Sequence, residues 1–288
     1  KKKNAASGID IHSSLPSSDV VKLIPKYRDI FKSILLCDVI GFHLYPTARN
    51  FMTILKRYIG LFFEITKQGL IVLTYFGRHI LIHIKQGQID IDYMNRLKED
   101  AQFKQAETDY STKLKDKFTI ICLDHLTLFP PIAMKLRAFE RFLDSHPELI
   151  NKVSLFFLIK YFESDSLIKS KQDEIEKNIT RLRNKFNNES IAYCEYSPRF
   201  GLYQRLSLFK VSNVFLYPLF FDGHCIYANE FVSMQEESKP YFLLLGENVT
   251  SNIGIKSAIR LNPYNTQIIA KVLYDCYVKT VKTKWDRR

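Results

Sequence analysis

The sequence predicts an α/β protein with parallel sheets, divided into two domains. Strand-length apolar runs alternate with helical stretches through the second half of the chain, which is typical of a parallel sheet covered on both faces. A highly charged stretch at 96–117, predicted to form a helix and a linker, separates two blocks of different composition. At 288 residues the chain also exceeds the length at which single cores begin to split into domains.

The first block, placed at 1–115, follows from local signals. Serines ahead of position 19 cap a helix that Pro25 interrupts, and a three-residue turn containing Gly77 joins two β-rich runs into a hairpin. The predicted strands are 9–12, 39–42, 69–75 and 79–84, and the predicted helices are 20–35, with its break, and 47–61.

The second block, placed at 116–263, is followed by a C-terminal helix and basic tail at 264–288. Its predicted strands are 118–123, 153–161, 191–194, 214–218, 241–245 and 258–261, and the predicted helices are 132–145, 167–187, 200–211, 226–236 and 264–279. Ligands in parallel sheets bind beyond the carboxyl ends of the strands. Four carboxylates fall at or just after predicted strand ends, where we expect a site: Asp124, Glu195, Asp222 and Glu247.

Composition limits the class of protein. The hydrophobic fraction of 46% and the short apolar runs exclude a disordered chain and predict no membrane span. Five scattered cysteines indicate neither a disulfide framework nor a zinc site, and Lys1-Lys2-Lys3 lacks the apolar sequel of a signal peptide. We therefore expect a soluble, cytoplasmic protein. The formal charge of +12 is spread over helices and termini, so we interpret it as a solvated surface, with no nucleic-acid or membrane partner.

The stretch 213–232 combines a buried strand, a turn at Asp222-Gly223 and a helix at 226–234. The first amides of a helix have no internal partner and carry partial positive charge, so a diphosphate can bind there. Glu230, near the helix start, is suited to holding ribose hydroxyls. Most joins of this kind are merely connections, so the pattern alone leaves both interpretations open.

The same stretch resembles a motif of a known family. Asp222-Gly223 with Glu230 is similar to the Asp-Gly-Met-Asn-Leu-x-x-x-Glu motif of the trehalose-6-phosphate synthases, retaining glycosyltransferases that use a nucleotide-activated glucose. Further segments match family motifs in the same order, at 11–19, 38–43, 48–51, 75–78, 135–140 and 258–265. The resemblance extends over positions 9–278. It implies a GT-B-like fold with two facing Rossmann-like domains.

The resemblance also implies roles for single residues. His12 would lie beside the transferred glucose and Asp222 would contact its hydroxyls, so these two are the candidate catalytic residues. The implied nucleotide-sugar-binding residues are Gly223, His224, Cys225, Ile226, Glu230, Glu247 and His125. No metal or cofactor is implied, and UDP-glucose would be the donor substrate. Without the resemblance, all of these are ordinary residues of strand ends, turns and helix starts.

Departures from the family motifs weaken the predicted diphosphate site. Active members carry an Arg and, five residues on, a Lys after the first strand of the second domain, where this chain has His125 and Pro130. Phe221 and Cys225 replace a further Arg and Asn. Each lost charge-assisted contact would cost about 1.5–3 kcal/mol, or roughly ten- to a hundredfold in rate. The cations left to compensate are a protonated His125, Lys135, Arg199 and Arg260.

The first block also lacks the early segments of the family's first domain. We therefore expect an N-terminally truncated member: either the sequence is a fragment, or the domain survives with a reduced sheet, whose exposed edge would then be available to a partner.

Two functions remain open. One is an enzyme that transfers glucose from UDP-glucose to glucose 6-phosphate, with retention, to give trehalose 6-phosphate. The other is a catalytically impaired, regulatory member of trehalose biosynthesis, which would bind a sugar phosphate or nucleotide sugar weakly, or scaffold an active synthase or phosphatase subunit. We favour the second, because electrostatic stabilisation is usually the largest catalytic contribution and is the one removed here.

Overall fold

The computed structural model describes residues 5–126, 132–161, 168–188, 191–197, 201–219, 225–236, 239–247, 249 and 254–285. The chain divides into two compact units. Of the described residues, the first unit holds 5–88 and Cys225, and the second holds Ile89 to Leu219 and the residues from Ile226 onward.

The first unit is built on a five-stranded sheet. Its elements are β1 (Gly8–Ile11), α1 (Ser18–Val21), α2 (Tyr27–Ile34), β2 (Val39–Phe42), α3 (Tyr45–Tyr58), β3 (Phe63–Ile65), β4 (Ile71–Tyr75) and β5 (Arg78–Ile84). The strand order is β1-β2-β5-β4-β3. Strands β1, β2 and β5 are parallel, whereas β3, β4 and β5 are joined antiparallel. The sheet therefore combines a parallel part with the predicted hairpin.

Local chemistry sets the turns of this unit. The predicted break at Pro25 is present, and Lys26 beside it adopts a left-handed conformation with φ of 56° between α1 and α2. At the hairpin, Phe76 and Gly77 have φ of 49° and 74°, the positive pair that a tight two-residue turn requires. The core lies between α3 and the sheet and includes the buried residues Leu35, Ile40, Phe51, Leu55, Leu73 and Ile80.

The second unit is a doubly wound α/β unit. Its elements are α4 (Ile91–Glu99), α5 (Ala101–Lys113), β6 (Phe118–His125), α6 (Ile132–Ser145), β7 (Val153–Lys160), α7 (Ile168–Phe186), β8 (Ala192–Ser197), α8 (Leu202–Val211), β9 (Val214–Tyr217), α9 (Ile226–Met234), β10 (Phe242–Gly246), β11 (Ile259–Leu261) and α10 (Thr266–Trp285). The six strands are parallel, in the order β11-β10-β9-β6-β7-β8. Residues on both faces of β6 and β7 are buried, as in a sheet covered on both sides.

The strand order of the second unit marks a crevice. From β6 the chain proceeds to β7 and β8 on one side, and then crosses to β9, β10 and β11 on the other. Open parallel sheets bind ligands at the carboxyl ends of the strands where the order reverses. In this unit that place is the edge between β6 and β9.

The charged stretch predicted as a helix plus linker is instead two packed helices. Asp90 caps α4 by accepting from the Tyr93 amide at 2.9 Å, and Asp100 caps α5 by accepting from the Gln102 amide at 2.8 Å. Helix α5 packs on α8, because buried Phe103 interrupts its charged surface. The compact units consequently divide after Gln88, ahead of the sequence-based division at 115.

Within the described ranges, no helix combines the length and apolarity needed to cross a bilayer.

Candidate functional site

Two histidines follow neighbouring strand ends in the first unit. β1 and β2 pair in parallel with Ile11 opposite Phe42, so His12 and His43 both leave the sheet at its carboxyl edge. The loop after His12 is held by Asn50 of α3, whose side-chain amide donates to the carbonyl of Leu15 at 2.8 Å. The sequence motifs that contain His12 and His43 are therefore brought together by the sheet.

The two imidazoles form a hydrogen bond. His12 Nδ1 and His43 Nε2 are 2.6 Å apart, and the ring centroids are 4.7 Å apart with a tilt of 50°. The amide of Gly87, after β5, donates to His43 Nδ1 at 3.1 Å. His12 is exposed and His43 is half-buried, so His12 is the member of the pair that solvent reaches.

In the second unit, Asp124 lies near the carboxyl end of β6 and is fully paired. Its two carboxylate oxygens accept from Nζ of Lys135 on α6 at 2.8 and 2.9 Å, and both side chains are 0% exposed. Burial raises the pKa of Asp124, and the Lys135 ammonium opposes that shift. A buried charge is tolerated only with such a partner, so each of these residues requires the other.

His125 ends β6 beside this ion pair and is half-buried. Its pKa is lowered from the ordinary 6.5, first by burial and second by the positive charge of Lys160 on β7. Protonation of His125 is therefore disfavoured, which works against its use as a replacement cation for a diphosphate.

Glu230 lies on α9 and pairs with Arg205 of α8. Arg205 Nε donates to one Glu230 oxygen at 2.8 Å and Nη2 donates to the other at 2.9 Å. The two side chains are only 11% and 8% exposed. The guanidinium also lies 5.2 Å from the ring centroid of Tyr227. The carboxylate predicted for ribose recognition thus makes a two-point contact with a buried cation.

The other described candidates are Cys225, Ile226 and Glu247. Cys225 is buried, and Ile226 is exposed and begins α9. Glu247 follows β10 with an exposed side chain, and its amide donates to the carbonyl of Leu261 at 3.0 Å. Glu195 does not follow a strand end as predicted. It lies inside β8, where its carboxylate accepts from Tyr110 at 2.9 Å and Lys113 at 3.0 Å.

Several predicted positions lie outside the described residues. They are Asp222, Gly223 and His224 of the turn, Pro130 and Phe221 among the departures, and Arg199 among the compensating cations. Of the other two named cations, Lys135 is committed to Asp124, and Arg260 of β11 is exposed. Among the described residues, no three His, Cys, Asp or Glu side chains cluster as metal ligands do.

The profile of Glycosyltransferase family 20 matches residues 1–287. The chain belongs to glycosyltransferase family 20. The sequence resemblance to trehalose-6-phosphate synthases is thereby confirmed.

Two curated relatives of this family 20 chain are UDP-forming alpha,alpha-trehalose-phosphate synthases. The Pichia angusta protein is 28% identical over 278 residues, which cover 94% of this chain and 57% of that protein. The 56 kDa subunit from Kluyveromyces lactis is 30% identical over 281 residues, covering 94% of this chain and 55% of the subunit. This family 20 chain therefore spans little more than half the length of these relatives.

Solved structures resemble this family 20 chain in fold. A Burkholderia xenovorans synthase in complex with glucose-6-phosphate superposes with a TM-score of 0.83 at 20% identity, over 93% of this chain and 59% of that one. The N-terminal domain of Candida albicans trehalose-6-phosphate phosphatase gives 0.79 at 23%, over 93% and 56%. An E. coli structure bound with UDP-2-fluoro glucose gives 0.80 at 17%, over 97% and 62%. These matches confirm the predicted GT-B-like α/β class.

Sequence reasoning missed the partners of the site residues. Arg205 was not singled out at all, although it lies three residues after Leu202 and four before Phe209, on the apolar side of its helix. Lys135 was considered as a cation for the ligand, yet it falls between Ile132 and Phe139 on the buried face of α6. A charged residue on an apolar helical face is the signal that predicts a buried ion pair.

Proposed function

We propose that this chain is a trehalose-6-phosphate synthase-like protein with impaired glucosyl transfer, and that it regulates or scaffolds an active enzyme of trehalose biosynthesis. The observation that carries the proposal is the buried pair of Asp124 and Lys135. Lys135 is one of the cations named above as a replacement for the missing Arg and Lys, and both oxygens of Asp124 bind it.

The electrostatics of the neighbouring groups support the same proposal. Negative charge builds on the leaving diphosphate, so transfer depends on cations aimed at it. His125 stands where active members have Arg, and its lowered pKa favours the neutral ring. Glu230 is held by Arg205, so binding a ribose through this carboxylate requires sharing it with the guanidinium or displacing the guanidinium.

Weak ligand binding and a partner subunit complete the proposal. UDP-glucose and glucose 6-phosphate are the proposed ligands, because related structures hold glucose-6-phosphate and UDP-2-fluoro glucose. The proposed partner is a synthase or phosphatase subunit, since one relative is named a 56 kDa subunit and one structural neighbour is a domain of a phosphatase. Five free cysteines favour a reducing, cytoplasmic location.

The test measures turnover and binding on the full-length protein. UDP release from UDP-glucose and glucose 6-phosphate should be absent, while calorimetry should detect weak binding of at least one ligand. His125→Arg with Pro130→Lys should strengthen UDP binding by roughly tenfold or more per restored cation. The matched control, His125→Gln with Pro130→Gln, changes the same positions without adding charge and should leave binding weak.

A separate assay tests the proposed regulatory role. Adding the protein to an active synthase should change the rate of trehalose 6-phosphate formation, and denatured protein should not. Turnover by the unaltered protein that disappears in Asp222→Ala would instead establish the alternative, an active glycosyltransferase making trehalose 6-phosphate.

A further inference from the structure

We infer that His43 is a positioning residue that fixes His12 as a hydrogen-bond donor through Nε2, directed at an oxygen of a bound sugar or sugar phosphate. The ligand in this inference rests on the proposed function. The protonation of the histidine pair does not, because it follows from three groups inside the first unit: His12, His43 and the amide of Gly87.

The amide of Gly87 determines which nitrogen of His43 carries the hydrogen. A main-chain N–H is always a donor, and it lies 3.1 Å from His43 Nδ1. His43 Nδ1 must therefore accept, so it carries no hydrogen. A neutral imidazole has one N–H, which leaves the hydrogen of His43 on Nε2.

The tautomer of His43 then determines the tautomer of His12. His43 Nε2 lies 2.6 Å from His12 Nδ1, a distance that requires one hydrogen between the two nitrogens. His43 supplies that hydrogen, so His12 Nδ1 accepts and the hydrogen of neutral His12 is on Nε2. Protonating His12 on Nδ1 would leave His43 without a hydrogen on either nitrogen, which an imidazole does not tolerate at neutral pH. The pair thus has one proton arrangement that satisfies both of these contacts.

The histidine pair lies where a parallel sheet commonly binds a ligand. The registers of β1, β2 and β5 bring Ile11, Phe42 and Ile84 side by side, so the pair lies at the carboxyl edge of the parallel strands. That edge is where α/β sheets bind ligands. His12 is the exposed member, and its Nε2–H lies on the far side of the ring from His43.

The chemistry that such a group recognises is narrow. An N–H donor binds an oxygen lone pair, either of a sugar hydroxyl or of a phosphate, and it cannot accept the proton of a hydroxyl. His12 in this state positions a ligand and does not act as a general base. Removing His43 would free both tautomers of His12, which weakens the donor without altering His12 itself.

The first arm of the experiment reads the protons directly by ¹⁵N NMR of the full-length protein labelled at histidine. A through-hydrogen-bond coupling between His43 Nε2 and His12 Nδ1 is expected, with His12 protonated on Nε2. The coupling should vanish in His43→Ala and persist in His83→Ala, an exposed histidine of the same sheet. In His43→Gln, whose amide can still donate, the Nε2 tautomer of His12 should persist. His12 protonated on Nδ1, or no coupling in the unaltered protein, overturns the positioning role.

The second arm follows the His12 Nε2–H signal during titration with glucose 6-phosphate, glucose and inorganic phosphate. A shift with glucose identifies a hydroxyl as the acceptor, and a shift with phosphate alone identifies a phosphate oxygen. His43→Ala should weaken binding by about twofold, because both tautomers of neutral His12 are then populated, with recovery in His43→Gln. Calorimetric binding without movement of the signal overturns the donor role. If no ligand binds at all, the proposed function fails, while the first arm still decides the positioning role.

Discussion

Replacing Arg205 with Met should destabilise the second unit severely. The change removes both donors to the Glu230 carboxylate, at 2.8 and 2.9 Å, in a place where the two side chains are 11% and 8% exposed. Breaking one side of a buried ion pair leaves an uncompensated charge and costs about 3–5 kcal/mol. A unit of this size loses about 2–4 °C of melting temperature per kcal/mol, so the melting temperature should fall by roughly 6–20 °C.

Urea unfolding followed by circular dichroism measures the cost, and a double-mutant cycle isolates the pair. Glu230→Leu alone should also be destabilising, because it leaves the Arg205 guanidinium buried without its carboxylate partner. Arg205→Met with Glu230→Leu should return close to the unaltered protein, because apolar side chains replace both charges. Single variants within about 1 kcal/mol of the unaltered protein, and additive in the double variant, would refute the reasoning that burial makes these two residues interdependent.

UDP binding provides a second test of the Arg205→Met variant. At a temperature where Arg205→Met remains folded, its Glu230 carboxylate is released for ribose hydroxyls, so UDP should bind more tightly than to the unaltered protein. Calorimetric titration with UDP measures the difference in affinity. Arg205→Met/Glu230→Leu, which lacks the carboxylate, serves as the control. Equal UDP affinities in all three proteins would show that Glu230 does not bind the ribose.

Three other changes in the second unit have defined outcomes. Lys135→Met should lower the unfolding free energy by about 3–5 kcal/mol in urea titrations, and adding Asp124→Leu should restore it; an unaffected single variant would contradict the pairing. Because burial lowers the pKa of His125, the folded state favours its neutral ring, so stability should decline as pH falls below 6.5. His125→Gln should decline less over that interval, and parallel pH profiles would contradict this. Gly246→Ala should cost about 1–3 kcal/mol, since a Cβ there would overlap the carbonyl oxygen of Leu219; an unchanged melting temperature would show that the backbone yields freely.

The fold was largely predictable because each strand of the second unit is a short apolar run between polar turns. The run that begins at Phe118 needs burial on both faces, and only a parallel sheet with helices on each side provides it. Strand β3 was missed, because its three residues are all exposed at the sheet edge and carry no alternation. Helices α4 and α5 were predicted as a helix and linker, because the segment is mostly charged and contains few buried apolar residues, such as Phe103.

The location of the candidate site was predictable and its internal pairing was not. Strand ends can be read from hydrophobic runs, which is how Asp124 and His125 were found. The partners of two other candidates come from distant positions: Glu230 is 25 residues from Arg205, and His12 is 31 from His43. Contacts of this range are set by strand order and helix packing, which a single sequence does not specify. The electrostatic state of each candidate therefore became known only with its partner.

The packing of α5 on α8 decides where the chain can be cut. Phe103 is 0% exposed, and Ser207 of α8 donates its hydroxyl hydrogen to the Phe103 carbonyl at 3.2 Å. A fragment that began at 116 would lack this side chain and turn the covered surface of α8 toward water, forfeiting about 1.5–3 kcal/mol for the phenylalanine alone. Cleavage ahead of Ile91, by contrast, spares both helices. The charged segment thus belongs to any fragment meant to retain the second sheet and its helices intact.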